Sequence, residues 1–250
     1  MNKLKLICIS LLFAATYGCS EYENIYENDP AIYFAYDVAL PDSETMQKDS
    51  LNHSFFVLKS SALRDTVWIM VNTMGRTEDY DRPFVIVQSN SGQADAAVAG
   101  THYLPFDDAG IKRFFTVEAN KAQALIPVVL LRHSSLALNR VRLELTVVGN
   151  EYFRPGIENF RTFAVTTSDR AVKPALWDGI WYYYFGEWGS EKMRFVINAT
   201  GYTQWERIPA DMSYINYLSD TVAQAFRDYN QEHPDDPLHE ANGDLVTFPF

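Results

Sequence analysis

From Pro30 to about Thr167 the chain alternates apolar and polar residues with a period of two. This pattern constrains the fold more than any other feature, because it commits one side of each segment to a core and disfavours helix. Ile32, Phe34 and Tyr36 alternate with Tyr33, Ala35 and Asp37, and Phe55 and Val57 with Ser54, Phe56 and Leu58. Val67, Ile69 and Val71 alternate with Trp68, Met70 and Asn72. Val141, Leu143, Leu145 and Val147 alternate with Arg142, Glu144 and Thr146, while Phe84 with Ile86 and Phe163 with Val165 extend the series. Leu125 to Leu131 is apolar throughout and is interrupted by Pro127. Proline cannot donate to a strand ladder, so it marks an edge or a bulge. Seven to eight short strands separated by turn signals predict a mainly β chain, with a β-sandwich over residues 30–170.

The pattern changes after the linker at residues 168–178, and residues 171–250 read as a small α+β segment packed on the sandwich. Trp181, Tyr183 and Phe185 alternate with Tyr182 and Tyr184, and Met193, Phe195 and Ile197 form a second alternating set. With Gly186 to Glu191 as a loop, they predict a hairpin over 180–198. Ile215, Leu218, Val222, Phe226 and Tyr229 fall on one helical face, predicting an amphipathic helix over 211–231. Asp211 is its expected N-cap, and Pro234 and Pro237 stop it. That helix should pack on the hairpin, with Asp220 and Asp228 facing outward. Leu245 to Phe250 reads as a final short strand.

Chemistry is harder to find. The chain carries 21 Lys and Arg against 32 Asp and Glu, a net charge of −11, so nucleic acid is not an expected partner. Cys8 and Cys19 are the two cysteines, which leaves the body without disulfides, a thiol nucleophile or thiolate metal sites. The five histidines, His53, His102, His133, His233 and His239, stand at no metal-binding spacing. His102 reads as a cap or packing residue at a sandwich corner. No nucleophile elbow, phosphate loop, dinucleotide fingerprint or zinc-protease helix occurs. A non-catalytic protein without a cofactor is the expectation.

Two groups of residues remain. The aromatic block Trp177, Trp181, Tyr182, Tyr183, Tyr184, Phe185 and Trp188 is either a core seam or a sugar-stacking platform. Strand alternation exposes at most half of it, so Trp181, Tyr183 and Trp188 are the candidate glycan-binding residues. Asp235, Asp236, Glu240 and Asn242 read either as a solvated acidic surface or as oxygen ligands for Ca²⁺.

The N-terminus carries an address. Lys3 and Lys5 precede an apolar run from Leu6 to Tyr17, too short to span a membrane but suited to a signal peptide over 1–18. Thr16-Tyr17-Gly18-Cys19 resembles the lipobox of bacterial lipoproteins, in the looser form found in Bacteroidota. The resemblance implies that Cys19 is acylated and becomes the first mature residue, anchoring the chain to a membrane; two or three acyl chains hold stably where one does not. Residues 19–29 then form a polar tether. Ser20, Glu21 and Glu23 resemble the signal that exports such lipoproteins to the surface of the outer membrane.

Two further resemblances concern the body. Gly100-Thr101-His102-Tyr103, Phe114-Phe115-Thr116-Val117, the turn Glu118 to Lys121 and the strand to Leu131 resemble half of a Calx-β-type, immunoglobulin-like sandwich. His102 replaces that family's corner Asp, and Arg132-His133-Ser134-Ser135 replaces its acidic calcium ligands, so the likeness implies the fold without the calcium site. Asp29-Pro30-Ala31-Ile32-Tyr33-Phe34, Asp81-Arg82-Pro83-Phe84, Gly100 to Tyr103, Lys173-Pro174, Pro237-Leu238 and Asn242-Gly243 together resemble a Bacteroidota lipoprotein family known as a domain of unknown function. Its members are typically encoded beside SusC/SusD-like glycan-uptake systems. The resemblance implies an accessory role in glycan capture or, alternatively, docking on a partner protein of an outer-membrane complex.

Overall fold

The computed structural model describes residues 29–35, 38–39, 46–47 and 49–250. The expected signal peptide, Cys19, Ser20, Glu21 and Glu23 lie outside the described residues, as do the rest of the tether before Asp29 and Tyr36.

In chain order the strands are β1 (Ala31–Phe34), β2 (Val38–Ala39), β3 (Met46–Gln47), β4 (Ser50–Ser54), β5 (Arg64–Met74) and β6 (Arg82–Pro83). They continue with β7 (Val85–Gln88), β8 (Thr116–Val117), β9 (Gln123–Leu131), β10 (Val141–Val148), β11 (Arg154–Pro155) and β12 (Thr162–Ser168). Two four-stranded sheets have the orders β11-β1-β5-β9 and β4-β12-β10-β7. Their pairings are antiparallel apart from β1 with β11 and β4 with β12. The sheets face one another across a core: Phe34 of the first lies 5.8 Å from Phe163 of the second, centroid to centroid. This is the sandwich the alternation predicts. Val141, Leu143, Leu145 and Val147 of β10 are buried, while Arg142, Glu144 and Thr146 between them are half-exposed. Pro127 sits on β9, an edge strand, opposite Trp68.

Two sandwich details differ from the sequence reading. Phe55–Val57 forms a 3₁₀ turn rather than a strand, directly after β4. Phe55 enters the sandwich core and Phe56 enters a second core, so the chain must turn there to aim neighbouring rings at different places. Lys112–Phe114 is also a 3₁₀ turn, leaving only Thr116–Val117 as strand. In the turn that follows, Asn120 adopts φ 61°, taking the left-handed position usually given to glycine.

The second core belongs to the C-terminal part, which is helical where a hairpin is expected. Trp177–Trp181 makes a π-helical turn that continues into α1 (Tyr182–Phe185); α2 (Ser190–Thr200) and α3 (Met212–Glu232) follow. The reason lies in spacing. Residues four apart share a face in both a strand and a helix, so Trp181 with Phe185, and Met193 with Ile197, satisfy either period. The residues between them decide. Tyr183 is 74% exposed while Val196 is wholly buried, and only the helical period allows both. Residues 245–250 form no strand; one bridge joins His239 and Leu245, while Val246 and Phe248 tuck inward.

The α3 face is as expected. Asp211 accepts from the Ser213 N–H at 2.8 Å. Ile215, Leu218 and Val222 are buried, and Asp220 and Asp228 point outward. Phe226 and Tyr229 are half-buried, meeting Phe195 edge-on at 5.7 and 5.8 Å. The helix therefore packs on the 180–198 region, although that region is helical. No helix among the described residues is long and apolar enough to cross a membrane.

Charge fixes the two parts together. Asp169, just after β12, accepts from Arg132 Nε and Nη2, both at 2.8 Å, and from Arg194 Nη2 of α2 at 3.2 Å. Arg194 also donates to the Phe56 carbonyl and lies 4.3 Å over the Phe56 ring. All three charged groups are largely shielded from water, so each depends on the others.

Candidate functional site

The second sheet meets the C-terminal part at a cleft of about 570 Å³. Strand parity builds one wall. On β12, Thr167 faces inward and is buried, so Thr166 and Ser168 face outward. Parallel pairing places Asn52 beside Thr166 and Ser54 beside Ser168. Antiparallel pairing sets Val141 opposite Thr167, which brings Arg140 and Arg170 to the same end of this sheet. Asn52, Ser54, Thr166, Ser168, Arg140 and Arg170 all line the cleft. The opposite wall is more apolar: Phe56 and Val57 from the turn, Val172 and Pro174 from the linker, and Thr203, Trp205 and Glu206 from the α2–α3 connection. Glu206 pins that connection to the linker by accepting from the Ala175 N–H at 3.1–3.2 Å.

His53 also lines the cleft, but its ring nitrogens are engaged. Nε2 lies 2.9 Å from Asp65 Oδ2 and Nδ1 lies 3.0 Å from the buried Thr167 hydroxyl. The hydrogen bond from His53, helped by the Thr66 N–H, holds the Asp65 carboxyl below the usual carboxylate range against the cost of burial. Arg140 and Arg170 make no hydrogen bond or ion pair with any described residue. The cleft thus presents two uncommitted guanidinium groups, several hydroxyl and amide groups, and an apolar wall. That set can hold a polar ligand with apolar faces.

The expected sugar platform is dispersed. Trp181 is wholly buried and donates from Nε1 to the Trp205 carbonyl at 2.9 Å, so its ring cannot stack on a ligand. Trp188 is half-buried against the second core, and its indole N–H is buried without a partner. Tyr183 is exposed on α1, where its ring meets Tyr182 edge-on. Most of the aromatic block is therefore a core seam. An exposed pair lies elsewhere: Tyr214 and Tyr217 on α3 stack at 6.0 Å with planes 23° apart. The inward face of that helix carries the stronger sequence signal; the i, i+3 spacing of these two tyrosines is the signal for the outward one.

The acidic loop has a structural task. Glu240 accepts from the N–H groups of Glu191 and Lys192, both at 2.9 Å, at the start of α2. The N-cap position there is Gly189, which has no side chain to do this, and a Cβ on it would meet Glu240 Oε1 at 1.9 Å. Asn242 donates to Asp244 at 2.7 Å. Among the described residues, no group of three or more His, Cys, Asp or Glu is placed to hold a metal ion.

His102 packs at a sandwich corner, as expected. Its Nδ1 accepts from the Val98 N–H at 3.0 Å, which leaves the ring proton on Nε2, 2.9 Å from Ser135 Oγ. Ser135 therefore accepts from His102, while its hydroxyl also lies 2.9 Å from His133 Nδ1. Burial, and then the charge of nearby His133, push the His102 pKa down.

No curated protein matches the chain. It is similar to a two-domain protein of unknown function from Bacteroides fragilis, at 6% identity and TM-score 0.37, over 58% of this chain and 47% of that one. It is also similar to a protein from Bacteroides ovatus proposed to bind carbohydrate, at 16% identity and TM-score 0.34, over 56% of this chain and 37% of that one. A third, of unknown function and also from Bacteroides ovatus, has 14% identity and TM-score 0.33, over 54% of this chain and 43% of that one. The chain thus spans less than half the length of each, and likenesses this distant say nothing of ligand or activity. The family model is firmer, because its match covers more than half of the chain, through the sandwich and the first helices of the C-terminal part. Over residues 26–202 the sequence fits the model of the domain of unknown function DUF4843, and the chain belongs to that family.

Proposed function

We propose that this chain is a non-catalytic, lipid-anchored accessory protein of the outer membrane that captures a glycan in the cleft between sandwich and helices. The observation that carries this reading is the make-up of the cleft: the outward polar parity of β4 and β12 faces an apolar wall across a space of about 570 Å³. Sugars present hydroxyls at their rims and C–H surfaces on their faces, and such a cleft meets both. The stacked Tyr214–Tyr217 pair offers a second flat surface. Anchoring through Cys19, with Ser20, Glu21 and Glu23 directing export, would place the protein at the cell surface beside a SusC/SusD-like uptake complex. Displaying the full chain in detergent to a glycan array tests the reading: binding that weakens when Thr166→Trp fills the cleft supports it, and no binding to any glycan ends it. A Cys19→Ala variant should leave the membrane fraction; retention after a high-salt wash would remove the anchor.

One observation favours docking instead. Ile208, Met212, Tyr214 and Tyr217 are all between 42% and 61% exposed around the start of α3. Exposed apolar and aromatic residues around one helix end suit a protein partner. Met212→Arg should abolish co-purification with such a partner and leave any glycan binding intact.

A further inference from the structure

Resting on the glycan reading, we propose that the saccharide held in the cleft carries an oxyanion, a carboxylate or a sulfate, gripped by Arg140 and Arg170. The chain is acidic, with a net charge of −11, so a basic cleft runs against its overall balance. Other arginines have been given work: Arg132 and Arg194 hold Asp169, Arg142 holds Glu144, Arg154 pairs with Asp29, and Arg161 donates to the Gly156 carbonyl. Arg140 is two residues from Arg142 and has no such partner, and neither has Arg170.

The cleft sets one carboxylate charge against two guanidinium charges. Its one lining carboxylate, Glu206, already accepts from the Ala175 N–H through both oxygens. The nearby Asp65 is committed to His53 and to the Thr66 N–H. Strand register, not chance, sets the two guanidinium groups at one end of one sheet, since Val141 and Thr167 are paired and each arginine lies just beyond its strand.

Guanidinium groups are planar forks that bond oxyanions through two parallel N–H groups, and they keep their charge at any physiological pH. A neutral sugar offers them hydroxyl acceptors but nothing to offset their charge. Around them, Asn52, Ser54, Thr166, Ser168 and Thr203 can take ring hydroxyls, and Val57, Val172 and Pro174 supply apolar wall. The volume falls within the range of about 300–1,000 Å³ common for ligand sites.

The test is calorimetric titration of the full chain in detergent, with probes chosen from an array of neutral and acidic glycans. Three are matched: an oligogalacturonide, its carboxyl-reduced neutral counterpart, and a sulfated galacto-oligosaccharide. An acidic probe should bind at least about tenfold more tightly than the neutral one, and its affinity should fall with added salt. Which of the two acidic probes binds names the source of the oxyanion. Arg140→Gln and Arg170→Gln should each weaken acidic binding by roughly tenfold. Both side chains are exposed and unpaired, so the thermal midpoint should stay at the wild-type value. If neutral and acidic glycans bind alike, or if neither substitution changes acidic binding, the oxyanion proposal is overturned and the glycan reading stands. If the array shows no glycan at all, both fall together.

Discussion

In the sandwich, the buried side chains are mainly aliphatic and arrive at every second residue, as Val141, Leu143, Leu145 and Val147 do on β10. In the C-terminal part, the largest wholly buried side chains are the rings of Trp177, Trp181, Trp205 and Phe185, arriving mainly from helical spacings. The difference has a physical consequence. Aliphatic side chains spread burial over many small contributions and bring no polar atoms of their own, although the sandwich also buries Asn72 Oδ1, Arg82 Nε and Thr146 Oγ1 without partners. An indole core gathers burial into a few rings and needs an acceptor for every N–H. Trp177 donates to the Gly186 carbonyl at 3.0 Å and Trp181 to the Trp205 carbonyl at 2.9 Å, but the N–H groups of Trp188 and Trp205 are buried without partners. The second core therefore places more of its burial on each ring, and it leans on the sandwich through Phe56 and the Arg132–Asp169–Arg194 cluster.

The largest expected effect comes from emptying each core in turn. Trp181→Ala should cost about 3–5 kcal/mol and Leu145→Ala about 2–5 kcal/mol. Urea unfolding followed by tryptophan fluorescence and by far-ultraviolet circular dichroism would read both. If the two parts lean on each other as described, each variant unfolds in one transition by both probes. Separate transitions would mean the cores are independent.

The joint can be broken more directly. Asp169→Ala leaves two arginines facing each other in a shielded site, and a loss of about 3 kcal/mol is expected. A second transition, absent from the wild type, should appear in the melting curve. An unchanged midpoint would show that Phe56 alone holds the parts together.

A smaller effect sharpens the helical side. Glu240→Gln keeps the shape of the α2 cap but removes a negative charge from a helix N-terminus, and should cost about 1 kcal/mol. Far-ultraviolet circular dichroism during denaturation would register the earlier loss of helix. Equal midpoints would reduce the acidic loop to a bystander.

The smallest effect belongs to the sandwich side and depends on pH. The His102 pKa lies below its ordinary value of 6.5 in the folded chain, first through burial and then through His133. The folded state therefore binds this proton less readily than the unfolded one. Its contribution is complete above about pH 6.5 and is lost as pH falls through that value toward the lower, folded one. Urea midpoints should accordingly drop between pH 7.5 and 5, and His102→Gln should flatten that part of the curve. An equal slope in the variant would assign the effect to other groups.

The sandwich was legible because its signal is redundant. Every strand of β10's kind states its inward face several times over, and Pro127 announced an edge position that the pairing then filled. The α3 helix was legible for the same reason, with Asp211 and Ile215, Leu218 and Val222 agreeing on start and face. The 180–198 segment was not, because Trp181 with Phe185 and Met193 with Ile197 are four apart, a spacing common to both periods. Only burial of the residues between them, decided by what packs alongside, separates helix from strand.

The cleft shows the same division. Nothing in the sequence singles out Asn52, Ser54, Thr166, Ser168, Arg140 or Arg170, because polar residues at such spacings mark any solvent-facing strand side. That these become one wall was decided by strand order, which sets β4 beside β12 and β12 beside β10. The buried Trp181 and the exposed Tyr214–Tyr217 pair were likewise assigned by tertiary packing. Where the period is unambiguous, a sequence records which side of an element each residue takes, since that follows from local backbone geometry. Which elements meet depends on contacts between residues distant in the chain, and those are fixed only when the two cores close against each other.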